Sequence, residues 1–563
     1  MQSSRLVWQQ TCPSPRAFNP TKALAAFFVA PSRRASSLSP KPRVPEYPSF
    51  KRPLNLTLSR FRGRTIHAKE LQVQLKTDEV AVEQLLGRHL YDAIRRYTDK
   101  MSMKSRSALW NEHMGLLNKV IHALPSNTSL EALPVALRDF IDYKGVNIYP
   151  SGVSDVTSRS RLGSEPPWTV PIFGEQPIRT PMEALNCEIA NFTKWMELTP
   201  AEQECRRLVI HEMLGFIEAA GIGEFQTEPF GSGRIGLGSP QSDIDLRLFN
   251  SAEAIDVQNN TLPSTKRSRK ALRRVMERIN KNHLQWASCQ LRPGKIPIIN
   301  TRHEQTGVAV QIVAAPSTHR QQEVSERYLE EVPHLRSIYS VLHTALNMRG
   351  MGDVWKGGPG SYGLFIWIAT ILRLMKSKSP ATDIVYAFAG DINDSAAHYL
   401  LECLRFIARF PFDDFALSPQ LMMPIAKHNL GQEETESKIK TCLENDDPIR
   451  AGMWSISRKR LQPYMLCLQD PANPSSDLGL KSNAVKHIRY IAEMLVSRLE
   501  RDLQAVEKVM SSPPSDRKLL GPPSFLAPLV GNCHELWKNQ RVQAEQYGMA
   551  TSQGNDLLAF RSQ

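Results

Sequence analysis

The sequence predicts an α+β fold in which a small mixed sheet carries the chemistry and helical segments flank it on both sides. Residues 244–248 alternate apolar with polar residues, which is the period of a strand with one buried face, and residues 308–313 predict a second strand with Val308, Val310 and Ile312 on one face and Gln311 on the other. Helical periodicity dominates before them, at 182–220, and after them, from Val332 onward. We therefore expect a small sheet packed among helices.

The first 45 residues differ in composition from the rest of the chain. They hold seven Lys or Arg and no Asp or Glu, which is half of the formal net charge of +14. Ser is frequent, and an apolar stretch at 23–30 follows Lys22. This composition is typical of a mitochondrial transit peptide and predicts a location in the matrix, with a basic disordered tail as the alternative. The charge that remains favours an anionic partner.

The body of the chain has the composition of a globular protein, with 41% hydrophobic and 22% charged residues. Its 563 residues are too many for one core and suggest two or three domains with tails. No window of about 18 consecutive apolar residues occurs, so we expect no membrane span. The eight cysteines form no CxxC pair, so no zinc site is predicted.

Further elements follow from caps and breakers in chain order. The predicted helices lie at residues 182–196, 200–220, 361–375 and 484–510. Thr199, Pro200 and Glu202 supply an N-cap, a first-turn proline and an acidic first turn to the second of these. A hairpin at 295–307 precedes the second strand, and the pattern becomes loose after Pro522.

A glycine-rich turn lies directly before the first strand and its two carboxylates. Asp243 and Asp245 are two residues apart on a strand and point to one face, where a divalent cation such as Mg²⁺ relieves their repulsion. Gly231 lets the backbone approach a triphosphate, and Ser232 offers an amide and a hydroxyl to its oxygens. An ordinary turn before an exposed strand explains the glycines but not the joint spacing, so we predict a nucleotide and metal site.

These motifs resemble those of a known family. Gly-Ser at Gly231, Gly-Leu at Gly236 and Ser-Asp-Ile-Asp at 242–245 look like the motif of the mitochondrial poly(A) polymerase and terminal uridylyltransferase branch of the DNA polymerase β-like nucleotidyltransferases. Residues 360–364 resemble the Ser-Tyr helix start of that branch. Residues 410–415, 469–471 and 477–479 resemble parts of the helical domain that accompanies the palm in that branch. The resemblance covers about residues 182–510.

The resemblance implies a polymerase β-like palm that adds nucleotides to RNA 3′ ends without a template. Asp243 and Asp245 would bind Mg²⁺ or Mn²⁺, and the position of a third metal-binding Asp falls on Gln311. The residues that would contact the incoming ATP or UTP are Gly231, Ser232, Ser242, His343, Ser361 and Tyr362. The partners would be a nucleoside triphosphate and RNA 3′ ends, within mitochondrial RNA processing or ribosomal assembly.

The resemblance and the breaks in composition together predict how the chain is divided. The expected parts are a transit peptide at 1–45, a linker and helical region at 46–180, a palm at 181–325, a helical poly(A) polymerase-associated domain at 326–510 and a partly disordered tail at 511–563. The region at 66–180 resembles no family that we can name.

Two positions depart from the family pattern. Gln311 brings no negative charge and cannot act as a general base, so catalysis is expected to fall steeply unless another carboxylate, such as Glu304, takes its place. His343 stands where the family has a phosphate-binding Lys, so triphosphate affinity is expected to drop, unless His343 is a plain surface or core residue. An active nucleotidyltransferase and an RNA-binding or assembly protein without turnover therefore both remain open.

A basic segment follows the first strand. Its members are Lys266, Arg267, Arg269, Lys270, Arg273 and Arg274. The segment predicts contacts with RNA phosphates, and a solvated helix face explains it equally well. Phe365 and Trp367, near the Ser-Tyr pair, are expected to pack in the core.

Overall fold

The structure is a computed structural model of the chain. It describes residues 165–170, 178 and 180–561, apart from single residues and short stretches, of which 251–264, 378–393 and 513–523 are the longest. The predicted transit peptide at 1–45 and most of the predicted region at 46–180 lie outside the described residues.

The described part has the mixed helical and sheet composition that the sequence predicts. Its helices are α1 (Pro181–Met196), α2 (Pro200–Glu218), α3 (Thr265–Asn280), α4 (His319–Glu331), α5 (Leu335–Met348), α6 (Gly360–Lys376), α7 (Ala396–Arg409), α8 (Gln432–Glu444), α9 (Pro448–Ile456), α10 (Val485–Ser511), α11 (Ala527–Val530) and α12 (Cys533–Arg561). Its strands are β1 (Phe225–Phe230), β2 (Ile244–Asn250), β3 (Leu291–Arg292), β4 (Ile298–Arg302), β5 (Ala309–Ala314), β6 (Phe415–Ser418), β7 (Met423–Ala426), β8 (Gln469–Asp470) and β9 (Asn473–Asp477).

One five-stranded sheet has the order β1-β2-β5-β4-β3. Strands β2 and β5 are parallel and the other neighbours are antiparallel, so the sheet is mixed as predicted. Leu246 and Ile312 belong to one buried cluster with Leu272 of α3 and with residues of α2, so both helices cover the same face of the sheet. Because successive strand residues point to opposite faces, Asp245 and Gln311 lie on the other face.

The start of α2 confirms the predicted capping residues. The Thr199 hydroxyl accepts a hydrogen bond from the Glu202 backbone N–H at 3.2 Å, and the Glu202 carboxylate accepts one from the Thr199 N–H at 2.8 Å. This reciprocal pair satisfies amides that have no partner within the helix, and Pro200 occupies the first turn.

A second core lies among the helices that follow the sheet, and it also includes α1. Trp367 and Phe365 are 0% and 1% exposed, so their predicted core packing is confirmed. Val324 and Tyr328 of α4 pack into this core, so the expected border at 325/326 falls inside a helix. Phe192 of α1 packs there too, although the sequence assigned this helix to the palm.

Two short hairpins, β6–β7 and β8–β9, extend the helical part of the molecule. The Asp477 carboxylate accepts hydrogen bonds from the backbone N–H groups of Leu468 and Gly479, at 3.0 and 2.7 Å. A Cβ atom on Gly479 would lie 2.0 Å from the carbonyl oxygen of Leu466. The Asp-Leu-Gly turn is therefore fixed by close backbone contact as well as by hydrogen bonds.

The expectation of a loosely patterned tail after Pro522 is wrong for residues 533–561, which form α12. This helix packs along α2, where Arg541 forms an ion pair with the buried Glu202 at 2.9 Å. The short segment before it is anchored as well: the buried Glu188 carboxylate accepts hydrogen bonds from Ser524 at 2.9 Å and from the Leu526 N–H at 3.0 Å. Long-range contacts of this kind leave no local periodic pattern in the sequence.

Within the described ranges, no helix combines the length and the apolar character that crossing a bilayer requires.

Candidate active site

The two aspartates and Gln311 lie together on the sheet face that α2 and α3 leave uncovered. In the parallel pair, Asp245 of β2 is aligned with Gln311 of β5, and Asn300 of β4 is aligned with Gln311 on its other side. Asp243 precedes β2 by one residue and is exposed, whereas Asp245 is half-buried. The strand register thus sets Asp245 and Gln311 side by side, and Asp243 lies close enough to Asp245 to raise the pKa of that carboxyl.

The glycine turn closes against one of these carboxylates. Gly231 has φ +76°, and a Cβ atom at this position would lie 2.3 Å from Asp245 Oδ2. Only glycine fits, because a side chain would be strained by the positive φ and would occupy the space of the carboxylate. The Leu237 N–H donates to the Ser232 carbonyl at 2.9 Å, which folds the loop back on itself and leaves Ser232 half-buried beside the site.

Both carboxyl groups of the site have raised pKa values. Burial, together with repulsion by Asp243, raises the pKa of the Asp245 carboxyl to about 7 against the attraction of Arg206. Desolvation also raises the pKa of Asp243, which Arg206 and Arg302 counteract. Two carboxylates with raised pKa values on one face are a pair whose ionised form a bound cation would stabilise.

The donor set fits one divalent cation and lacks a carboxylate at the third position. The side-chain N–H of Gln311 donates to Asn300 Oδ1 at 3.2 Å. The Gln311 carbonyl oxygen therefore remains available as an uncharged ligand for a metal ion. Mg²⁺ accepts two carboxylates and completes its shell with water and phosphate oxygens. Among the described residues no three His, Cys, Asp or Glu side chains are placed to hold a metal ion, and Glu304 is exposed.

Arg206 of α2 supports the loop before β2. Its guanidinium donates to the carbonyl oxygens of Ser239 at 3.0 Å and Ser242 at 2.6 Å. The Ser242 hydroxyl accepts from the Ser239 N–H at 2.9 Å and also contacts the Ser239 hydroxyl at 3.0 Å. Ser242, expected to contact the nucleotide, is thus engaged in holding the loop that carries Asp243.

A second group of predicted residues lies where α5 meets the start of α6. His343 Nε2 is 3.3 Å from the Ser361 hydroxyl, and Asn347 contacts the same imidazole. The Tyr339 ring stacks on His343 with centroids 5.0 Å apart. Burial lowers the pKa of His343 to about 4, so the imidazole is neutral at physiological pH. The structure therefore brings His343 and Ser361 together, but supplies no charge there.

Tyr362 is fixed by the helical part of the molecule. Its hydroxyl donates to Asp470 Oδ1 at 2.9 Å, so the Ser-Tyr helix start and the Gln-Asp-Pro segment meet in space. Burial and the neighbouring Asp470 both raise the pKa of the Tyr362 hydroxyl, which remains protonated. The ring itself is half-buried.

Arg336 of α5 links the two groups of residues. Its guanidinium donates to the carbonyl oxygen of Gly236 in the glycine turn. Arg336 and His343 are seven residues apart, so they lie on one face of α5, and this face borders the turn. Arg336 therefore joins the glycine turn to the side of α5 that carries His343, and we call the region between them the cleft.

The basic residues of the predicted RNA-binding segment are not part of this cleft. Lys266, Arg267, Arg269, Lys270, Arg273 and Arg274 are exposed on α3. Helix α3 covers the apolar face of the sheet, so the sheet separates these cations from Asp243 and Asp245.

Four residues of the site carry no signal that predicted them as site residues from the sequence: Arg206, Asn300, Arg302 and Arg336. Asn300 and Arg302 alternate with the buried Ile299, which was a detectable strand pattern, but placing them beside Gln311 needs the β4–β5 register. Arg206 and Arg336 lie on helices without any local motif, so no sequence pattern indicated them.

A mixed sheet with two aspartates beside a glycine turn defines a nucleotidyltransferase palm. Residues 185–317 match the family model described as the central palm domain of mitochondrial-like poly(A) RNA polymerase. This match confirms the resemblance of this part of the chain to the poly(A) polymerase and terminal uridylyltransferase branch of the polymerase β-like nucleotidyltransferases, which the motifs predicted.

Individual relatives are distant. Poly(A) RNA polymerase CID14 of Cryptococcus neoformans var. neoformans serotype D is 25% identical over 210 residues, which are 37% of this chain and 26% of that protein. The chain therefore spans about a quarter of the length of this relative. The polymerase core of TRAMP, an RNA surveillance complex, is 19% identical with a TM-score of 0.49, covering 65% of this chain and 100% of that one. A structure of mtPAP in complex with UTP is 15% identical with a TM-score of 0.42, covering 65% and 76% of the two chains.

Proposed function

We propose that the protein is an RNA nucleotidyltransferase of the mitochondrial matrix that adds nucleotides, with adenylate as the preferred one, to RNA 3′ ends. The observation that carries this proposal is the close approach of the glycine turn at Gly231 to the Asp245 carboxylate, whose pKa the neighbouring Asp243 helps to raise. The family match of the palm supports the reaction class. The acid-free basic leader at 1–45 supports the compartment.

Each residue of the cleft has a role in this proposal. Asp243 and Asp245 would hold a divalent cation, which would supply charge stabilisation at the phosphates of ATP or UTP. The amide and hydroxyl of Ser232, together with the Ser361 hydroxyl, bind triphosphate oxygens, and the fixed ring of Tyr362 stacks on the base. The 3′ hydroxyl of the RNA attacks the α-phosphorus in line, and pyrophosphate leaves.

Gln311 and His343 weaken two parts of this mechanism. An amide at Gln311 cannot accept the proton of the 3′ hydroxyl, and it adds no charge to attract a second cation. The neutral His343 can offer a hydrogen bond to phosphate but not an ion pair. Slow turnover or weak triphosphate binding is the expected consequence.

A second candidate function follows from the same observation: a nucleotidyltransferase-fold protein that binds RNA, or takes part in ribosomal or RNA-processing assembly, without turnover. The hydrogen bond between Gln311 and Asn300 favours this second function, because two uncharged amides occupy a position where the reaction needs a carboxylate.

A primer-extension assay separates the two functions. Purified protein is incubated with ³²P-labelled ATP or UTP, an RNA primer and Mg²⁺ or Mn²⁺, beside the Asp243→Ala variant. Extension that this variant abolishes supports the enzyme. RNA binding without extension under all four nucleotides supports the second candidate. A gain of extension in Gln311→Asp would identify the missing carboxylate as the cause of low activity.

The compartment is tested separately. A fluorescent protein fused after residue 60 should enter mitochondria and lose its leader, whereas a fusion that lacks residues 1–45 should not. Cytosolic signal from the complete fusion would contradict the matrix location.

A further inference from the structure

Helix α3 carries a strong concentration of positive charge on the back of the palm. Its 16 residues contain seven Lys or Arg and a single acid, Glu277. The cations are exposed, while Leu272 and Val275 are buried against the sheet. Since the aspartates of the cleft lie on the opposite sheet face, the function proposed for the cleft does not account for this charge.

Helical geometry divides the cations into two stripes. Arg267, Lys270 and Arg274 are spaced by three and four residues and therefore lie along one side of α3. They line a groove of about 400 Å³ together with Ile222, Phe225 and Ala271. A second stripe consists of Lys266, Arg269 and Arg273, none of which lines the groove. We call the first set the groove stripe and the second the outer stripe.

The groove combines charge with an apolar wall. None of the six described residues that line it is acidic. Arg274 donates to the carbonyl oxygen of Gly221 at 3.0 Å, which holds its guanidinium at the groove edge. Phe225 is half-buried at the start of β1 and contributes an aromatic surface to the wall. A row of cations beside an aromatic ring is suited to a single-stranded nucleic acid, because the cations contact phosphates and the ring stacks on a base.

We propose that this groove is a second RNA site, which binds the sugar-phosphate backbone of a single strand at a distance from the 3′ end. The proposal rests on RNA being the substrate of the cleft. An acidic peptide also matches the charge, but the aromatic wall adds contacts for a base that carboxylate side chains do not use. A bilayer surface fits less well, because the groove is concave and accepts a strand.

The location sets a length requirement. The sheet and α3 lie between the two sites, and a helix diameter plus a layer spacing amounts to roughly 20 Å. A strand that occupies both sites must therefore run around the palm over several nucleotides. A short RNA can occupy one site at a time, whereas a long RNA gains affinity from both.

The test compares the two stripes with the same change of charge. Binding of fluorescein-labelled RNAs of 6 and 20 nucleotides is measured by anisotropy between 50 and 200 mM KCl, in the Asp243→Ala background so that no extension occurs. One variant combines Arg267→Gln, Lys270→Gln and Arg274→Gln. The matched control combines Lys266→Gln, Arg269→Gln and Arg273→Gln.

The groove variant should bind the 20-nucleotide RNA about tenfold or more weakly, and its log–log salt slope should be smaller by about 2, since each phosphate contact contributes ~0.7. The control should lose less than about threefold. Equal losses in both variants would mean general attraction to a basic helix and would overturn the proposal. So would an unchanged affinity in the groove variant.

Two single variants keep the test valid if a triple variant fails to fold. Lys270→Glu should weaken binding of the long RNA more than Lys266→Glu does. Phe225→Leu retains the apolar packing and removes the ring, so affinity should fall about fivefold or more while the salt slope stays the same. Poly-glutamate that displaces the RNA at equal charge concentration would contradict the choice of RNA as the occupant.

These outcomes are independent of the proposed enzyme activity. Loss of extension with intact groove binding would disprove catalysis and leave the groove site in place. If the groove variant extended RNAs of both lengths like the parent and also bound RNA with unchanged affinity, the second RNA site would be disproved. The proposed enzyme activity would stand.

Discussion

The substitution Gly231→Ala tests the geometry on which the candidate site depends. The added methyl group would lie 2.3 Å from Asp245 Oδ2, whereas carbon atoms in contact are normally about 3.5 Å from their neighbours, so the carboxylate must move by about 1 Å. The positive φ of +76° adds strain of about 1–2 kcal/mol for a non-glycine residue. The change therefore has a cost to folding and a separate cost to the site.

The two costs have different sizes. The strain should lower the melting temperature by a few degrees, about 2–4 °C per kcal/mol for a domain of this size. Displacement of a cation ligand by about 1 Å should weaken the site about 100-fold. The site effect is read as Mn²⁺ affinity in the presence of a non-hydrolysable ATP analogue, by electron paramagnetic resonance, so it does not depend on turnover.

Gly233→Ala is the matched control in the same turn. Gly233 has no atom within 4 Å of an added Cβ, and its φ is not positive, so both stability and Mn²⁺ affinity should stay near those of the parent protein. If Gly231→Ala also kept the parent affinity, Asp245 would not be packed against the turn, and the proposed cation site would lose its structural basis.

Three further predictions concern stability and the triphosphate. Burial raises the pKa of Glu188 from 4.5 to about 7, so the protonated carboxyl stabilises the fold below pH 4.5, and this contribution is lost as the pH rises through 7. Glu188→Gln should therefore be up to about 3 kcal/mol more stable than the parent at pH 8. Urea unfolding measures this difference, and no gain is expected at pH 4.5. Arg541→Ala leaves the 2% exposed Glu202 without its ion pair and should lower the free energy of unfolding by about 3 kcal/mol, and a loss below 1 kcal/mol would show that α12 is held by other contacts. His343→Lys introduces a charge at the position whose imidazole Nε2 lies 3.3 Å from the Ser361 hydroxyl, and it should tighten ATP binding about tenfold in calorimetry, while unchanged affinity would exclude this side of α5 from the triphosphate site.

The sequence by itself determined the elements whose cause is local. The alternation at 244–248 and 308–313 gave the two central strands, because side chains on a strand alternate between faces whatever surrounds them. Thr199 and Glu202 gave the start of α2, because a capping box is satisfied within one turn. The paired aspartates and the glycine turn indicated the nucleotidyltransferase class for the same reason, since two carboxylates two residues apart and a short loop are set by local chain geometry.

Only the tertiary structure decided which distant residues share a surface. It placed Asn300 beside Gln311, the guanidinium of Arg336 on the glycine turn and α12 along α2, and it set the basic side of α3 on the opposite face of the palm from the aspartates. Each of these contacts joins segments far apart in the chain, and its formation depends on strand register and helix packing. Register and packing are set by the sum of many weak apolar contacts across the whole core, which no local pattern records.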